Sequence, residues 1–243
     1  MKTLVRLLCT LLLLPLGAGA ATLPGPVVDV EWLKAHAGDV VILDVRDEAE
    51  SWTAAPEYEK DEKTAAQKLT ATGGHIAGAL QLDFNKLRVS RVIDGKKIDK
   101  MLPDRAQVQE LMQASGLKAG KTIVITSPGE APDQVDSAAR LYWTLKAYGA
   151  SNMALLDGGN AAWLAAGLPV STAKEPIERG DWQATELRKD WLAELGDVER
   201  ALGKKKIQIV DARPLPQYLG LSFKKPSVTA GGHLPRARNF PTD

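Results

Sequence analysis

Two short runs rich in apolar residues, Thr122 to Thr126 and Asn152 to Asp157, are each followed by a helical pattern, and this constrains the fold more than any other feature. Apolar runs of this length, alternating with helices, suit strands of an open parallel sheet buried on both faces. Ser127 to Asp136 reads as a polar loop with Ser137 as N-cap of the next helix. Gly158-Gly159 turns the chain into a short helix around Trp163, and Gly167-Leu168-Pro169 ends it, glycine serving as C-cap before a residue that breaks the ladder. In such units the loop after a strand faces a helix N-terminus, where free backbone N–H groups hold an anion or a thiolate. Chemistry is therefore expected at Ser127 to Asp136.

The preceding segments fit the same sheet. Glu31 to His36 reads as a short helix, Asp39 to Arg46 as a buried strand, and Gln107 to Ser115 as a helix with Val108, Leu111 and Met112 on one face. Glu48 to Thr72, with EYEKDEK at its centre, reads as a solvated surface insertion. Ser171 to Gln183 reads as a polar linker and Asp190 to Leu202 as one helix. An open α/β sheet flanked by helices is the fold class, with functional loops at the carboxyl ends of its strands.

The chain then repeats itself. Ile207 to Arg213 (IQIVDAR) matches Val40 to Arg46 (VVILDVR), and Gly231-Gly232-His233-Leu234 matches Gly73-Gly74-His75-Ile76. The pairs Asp44 with Arg46 and Asp211 with Arg213 read as structural ion pairs at strand ends, and His75 and His233 as turn histidines bonded to backbone. Trp163 reads as core. The expected organisation is a signal peptide at 1–20, a complete domain at 21–173, a linker and helix at 174–204, and the start of a second, incomplete copy at 205–243.

Export follows from the N-terminus. Lys2 and Arg6 precede the apolar run Leu7 to Leu16, and Ala18-Gly19-Ala20 offers a cleavage site before Ala21. The location implied is periplasmic or secreted. Cys9, the one cysteine, falls inside the apolar run and is removed with it, so the mature chain has no thiol. Net charge is +1 and no run of five like charges occurs, which argues against nucleic acid and, once the signal is gone, against a membrane surface. With three histidines and no mature cysteine, no metal-ligand spacing is present and no cofactor is implied.

VILDVR, GHIAGA, AARLYWTLKAYGASNMALLDGGNAAWLAAGLPV, IVDAR and GHLPRARNFP together resemble the tandem rhodaneses, sulfurtransferases acting on thiosulfate or 3-mercaptopyruvate. The resemblance implies a rhodanese-like fold and a first domain that is catalytically silent. It implies a cysteine in the strand-to-helix loop of the second domain, which takes a sulfane sulfur as persulfide and passes it to cyanide or a thiol. Ser127 occupies the silent-copy position of that cysteine, and a hydroxyl forms no persulfide. The second-copy equivalent is expected about 40 residues past Asp243, so no catalytic residue is expected in this chain, which reads as truncated. Arg213 and Gln217 are the candidate substrate-binding positions; Gln217 stands where the family has a substrate-side arginine. Glu130, Asp133 and Asp136 are expected to repel an anionic donor from the first loop. A small sulfur-containing anion or a thiol is the implied substrate. The alternative reading is a non-catalytic module that binds a periplasmic protein partner or a small anion. A phosphatase of the same fold needs a cysteine and an arginine that this loop lacks.

Overall fold

The structure, a computed structural model, describes residues 21–60, 62, 67–222 and 230–241. The expected signal segment and Cys9 lie outside the described residues, as does the predicted cysteine loop beyond Asp243. In chain order the elements are β1 (Val27–Val28), α1 (Val30–His36), β2 (Val41–Arg46), β3 (Glu57–Lys60), β4 (Gln67–Ala71), β5 (Leu80–Asp83), β6 (Val89–Ile93) and β7 (Lys96–Met101). They continue with α2 (Arg105–Ala114), β8 (Ile123–Thr126), α3 (Pro132–Ala147), β9 (Met153–Leu156), α4 (Gly159–Ala165), α5 (Leu195–Leu202), β10 (Val210–Asp211), α6 (Leu215–Tyr218) and β11 (Arg238–Asn239).

Five strands form one parallel sheet in the order β1-β9-β8-β2-β5. Alternation of side chains sorts each strand between two faces. Leu43 and Val45 of β2, Ile123 and Ile125 of β8, and Met153 of β9 pack with α2 and α3 through Val108, Met112, Leu141 and Leu145. Ile42, Val124 and Ala154 face the other way and pack with Leu33 of α1 and Trp163 of α4. Both faces are therefore covered, which is why these strands read as continuous apolar runs. The α/β expectation holds for this sheet.

Several local expectations need correction. α3 begins at Pro132, not after Ser137: proline occupies the first turn, where its missing N–H costs nothing, and Ala131 is the N-cap. Ser137 lies one turn inside, its hydroxyl donating back to the Asp133 carbonyl at 2.9 Å. The loop is thus five residues, Ser127 to Ala131. The charged insertion is solvent-exposed as expected and is built as an antiparallel hairpin of β3 and β4. A second hairpin, β6 with β7, precedes α2. α2 starts with a capping box in which Asp104 accepts from Gln107 N and the Gln107 side chain accepts from Asp104 N, a start signal not read from the sequence.

The predicted linker docks on the sheet domain. Trp182 and Ala184 are buried in the α2–α3 side of the core, and the Asp181 and Trp182 amides both donate to the Leu117 carbonyl at 3.1 Å. Burying a tryptophan removes enough apolar surface from water to offset the ordering of a polar strap. The helix expected from Asp190 to Leu202 is instead a short 3-10 turn, Lys189–Trp191, followed by α5. The strand expected from Ile207 to Arg213 shrinks to β10, because its described partner is the two-residue β11 alone.

Candidate functional site

Asp44 and Arg46 of β2 and Thr126 of β8 share the parity that faces α4, so the pleat brings all three to the carboxyl end of the sheet on one side. Gly158-Gly159 starts α4 against the same end and supplies Asn160. The Thr126 hydroxyl donates to Asn160 Oδ1 at 2.9 Å, and Asn160 Nδ2 donates to Asp44 Oδ2 at 2.6 Å. Arg46 completes the chain: Nε and Nη2 donate to the two Asp44 oxygens at 2.8 and 2.7 Å, Nη2 also to the Gly74 carbonyl at 2.5 Å, and Nη1 to Ser51 Oγ at 3.1 Å. All four residues are buried. Every arm of the carboxylate and guanidinium is thus matched, the condition under which a buried ion pair is tolerated. The expected structural ion pair is present; Asn160, which locks it to α4, was missed. The sequence signal was a single amide after two glycines.

His75 is also buried. Its ring stacks on Trp52 with centroids 3.7 Å apart, and Nδ1 lies 3.1 Å from the Trp52 carbonyl. A carbonyl only accepts, so Nδ1 carries the hydrogen. This is the turn role expected of it. Trp163 is buried as expected, and its Nε1 donates to the Pro169 carbonyl at 2.9 Å.

Ser127 begins the loop that should carry chemistry, and it is buried. The loop is held by backbone: Asn160 N donates to the Ser127 carbonyl and Ala161 N to the Pro128 carbonyl, both at 2.9 Å. Contact is close enough that a Cβ on Gly129 would stand 2.3 Å from the Gly158 carbonyl oxygen, and one on Gly159 would stand 2.5 Å from that of Ser127. Both glycines have positive φ, so the turn and the close approach each require them.

Two positions of this loop offer no N–H to an anion. Pro128 has no N–H, and the Glu130 N–H donates to Gln134 Oε1 at 2.8 Å. The Glu130 carboxylate accepts from the Thr72 N–H across the cleft. The cleft holds about 120 Å³ and is lined by Arg46, Asp47, Glu48, Glu57, Glu130 and smaller residues. Its one cation there is committed to Asp44, so the wall is acidic, as the sequence implied for Glu130. Asp133 stands in the first turn of α3, and Asp136 lies further along the same helix.

The candidate substrate positions lie in a different part of the chain. Arg213 pairs with Asp211 through Nε at 2.8 Å and Nη2 at 2.5 Å, and Nη2 donates to the Gly232 carbonyl at 2.8 Å. That bond holds the Asp211 carboxyl below its ordinary range and raises the guanidinium. His233 stacks on Tyr218 at 3.8 Å with Nδ1 2.8 Å from the Tyr218 carbonyl. Gln217 sits on α6, half-buried, beside Tyr218. Asp, Arg, glycine carbonyl, histidine and stacked aromatic thus recur in the same arrangement in both places; the aromatic member, Trp52 or Tyr218, was not read from the sequence. Among the described residues no group of three or more His, Cys, Asp or Glu is placed to hold a metal ion. No helix among them is long and apolar enough to cross a membrane.

Comparison with known proteins places this geometry. The profile of the Rhodanese-like domain family matches residues 29–166. The chain is 30% identical over 168 residues to 3-mercaptopyruvate sulfurtransferase of Rattus norvegicus, covering 69% of this chain and 54% of that protein. It is 26% identical over 216 residues to the Escherichia coli enzyme of the same name, covering 88% and 70%. The chain therefore spans about half the length of the mammalian relatives it matches. Among solved structures, SseA from Escherichia coli superposes with a TM-score of 0.65 at 23% identity, over 89% of this chain and 74% of that one. The 3-mercaptopyruvate sulfurtransferase from Leishmania major gives 0.58 at 20%, over 88% and 54%.

Proposed function

Because the chain belongs to the rhodanese-like domain family, whose matched relatives are sulfurtransferases, we propose that it serves transfer of a sulfane sulfur from thiosulfate or 3-mercaptopyruvate to cyanide or a thiol. On this reading the chain is exported and acts in the periplasm or outside the cell. Residues 21–173 are the silent copy, which folds and supports but does not accept sulfur, and residues 205–243 begin the copy whose loop carries the cysteine. Arg213 and Gln217 then border the donor site. The persulfide chemistry needs a thiolate that attacks the donor's outer sulfur and breaks the bond behind it, releasing sulfite or pyruvate; the acceptor then attacks the persulfide and frees the thiolate.

One observation carries the silent assignment: the loop at Ser127 offers a hydroxyl, not a thiol, beside the acidic wall of Glu130. Its N–H at Glu130 is taken by Gln134, and the Glu130 carboxylate lines the cleft while accepting from Thr72 N. The missing thiol also favours a second reading, a non-catalytic module that binds a partner protein or a small anion. Thiocyanate formation from cyanide, assayed with each donor on the purified 243-residue chain, is expected to stay at the uncatalysed background. Turnover by this chain would end the silent assignment. Ser127→Cys is expected to remain at background too, because the nearby Glu130 carboxylate disfavours a thiolate and an anionic donor; activity in that variant alone would show that only the nucleophile was lacking. Separating the two readings requires the coding sequence downstream of Asp243: a strand, a cysteine loop and a helix support sulfur transfer, and a stop codon leaves the binding module.

A further inference from the structure

We propose that the pocket between the β6–β7 hairpin and α3 binds a small organic anion, a carboxylate or sulfonate with an aromatic or aliphatic body, through Arg91, Lys100 and Arg140. The chain carries a net charge of only +1, yet Arg88, Arg91, Lys100 and Arg140 gather here. Among the described residues none of the four forms an ion pair with a carboxylate. Their partners are neutral. Arg88 lies over the Phe84 ring at 4.0 Å and donates to Asn85 Oδ1 at 3.1 Å. Arg91 donates to the Leu102 carbonyl at 2.7 Å. Arg140 sits 5.0 Å from the Trp143 ring centroid, and its Nη2 reaches the Lys100 carbonyl at 3.5 Å, the outer limit of a hydrogen bond. Arg140 Nε is buried with no hydrogen-bond partner.

Three acids of the surrounding elements, Asp104, Glu186 and Asp99, are engaged elsewhere. Asp104 caps α2 by accepting from Gln107 N at 2.9 Å, Glu186 pairs with Arg105 at 2.6 Å, and Asp99 accepts from Ser90 at 2.6 Å. Burial and then the repulsion of Arg88 hold the Arg140 guanidinium below its usual range, which is the signature of a cation without a counter-charge. The hairpin presents its share of the charge through a register break between Val89 and Arg91, opposite which Lys100 takes φ 63; a bulge of this kind re-aims side chains. The cavity is about 280 Å³, and Trp143, Leu187 and Leu192 contribute apolar wall beside the three cations. A charged head and an apolar body are what such a lining recognises. Arginine also offers a planar fork that fits carboxylate and sulfonate oxygens.

Titration calorimetry on the 243-residue chain at low salt, with naphthalene sulfonate as probe and neutral naphthalene methanol as comparator, tests this. The sulfonate is expected to bind at one saturable site, and the neutral compound about tenfold or more weakly. Arg140→Gln is expected to weaken the sulfonate about tenfold and Lys100→Ala about threefold. Lys86→Ala, in the neighbouring larger groove, is expected to change nothing. Lys100 is exposed on the hairpin, so its variant keeps the test open if Arg140→Gln loses its native circular dichroism. No saturable binding, equal affinity for the neutral compound, unchanged affinity in both pocket variants, or loss in Lys86→Ala alone would each overturn the site.

Discussion

The same five-part arrangement is built twice, once inside the molecule and once near its surface. At β2 the side chains of Arg46 and Asp44 are 1% and 0% exposed; at β10 those of Arg213 and Asp211 are 34% and 11% exposed. The bond patterns nearly coincide: a forked carboxylate–guanidinium pair, an arginine bond to a glycine carbonyl, and a histidine stacked on the aromatic whose carbonyl it holds. What differs is the surrounding sheet. β2 lies between β8 and β5 with apolar layers on both faces, whereas the described partner of β10 is β11 alone. The repeated motif therefore shapes a loop in either setting, and the sheet around it decides how much stability it contributes.

Mutating the arginines should give the largest contrast. Arg46→Ala leaves Asp44 as an uncompensated buried charge, so a loss of about 3–5 kcal/mol in chemical denaturation is expected. Arg213→Ala should cost about 1 kcal/mol or less, because solvent screens the exposed pair. Its effect should be confined to exchange of the Arg238 and Phe240 amides, which bond to Ile209 O and Asp211 O. Equal losses at the two sites would break the comparison.

The glycines that offer carbonyls to these arginines come next. Gly74 and Gly232 have φ of 71° and 98°, so alanine is strained at both. At Gly74 the added Cβ would also stand 2.9 Å from the Ser171 carbonyl oxygen, while at Gly232 it meets nothing within 4 Å. Gly232→Ala is expected to cost about 1–2 kcal/mol and Gly74→Ala distinctly more, read as midpoints of denaturation. Matching costs would mean that the packing around Gly74 yields.

Acid gives the smallest and sharpest test. Because the bond from Arg213 lowers the folded-state pKa of Asp211, its contribution is fully present above the ordinary value of 3.8 and is lost as pH falls through the lower folded-state pKa. Protection of the Phe240 amide in the native chain relative to Asp211→Asn should shrink in that acid window and be constant above it. A difference that grew as the pH dropped would reverse the sign and remove Arg213 as its cause.

Much of the sheet was legible because its signal is local. Leu43, Val45, Ile123 and Ile125 announce strands by composition, and GHIAGA and LDGG mark turns that only glycine makes. Ser137 offers a plausible cap in the sequence, but proline fits the first turn better, so the helix starts at Pro132. The docking of the linker left little trace, because Ser171 to Gln183 is polar on average and the docking rests on one residue, Trp182, which joins the buried cluster of Ala150 and Met153. Asn160, Trp52 and the unpaired cations at Arg140 left no local trace; their roles arise from residues far away in the chain.

The sequence by itself determined a parallel α/β sheet, the duplicated Asp-x-Arg and Gly-His elements, and a loop that begins with serine, because each depends on residue type at short spacing. Only the tertiary structure decided that Gln134 takes the Glu130 N–H, that Asn160 ties Asp44 to α4, and that Arg91, Lys100 and Arg140 share one pocket. Burial and charge compensation depend on which distant side chains the fold brings within a few ångströms, and no reading of neighbours along the chain contains that distance.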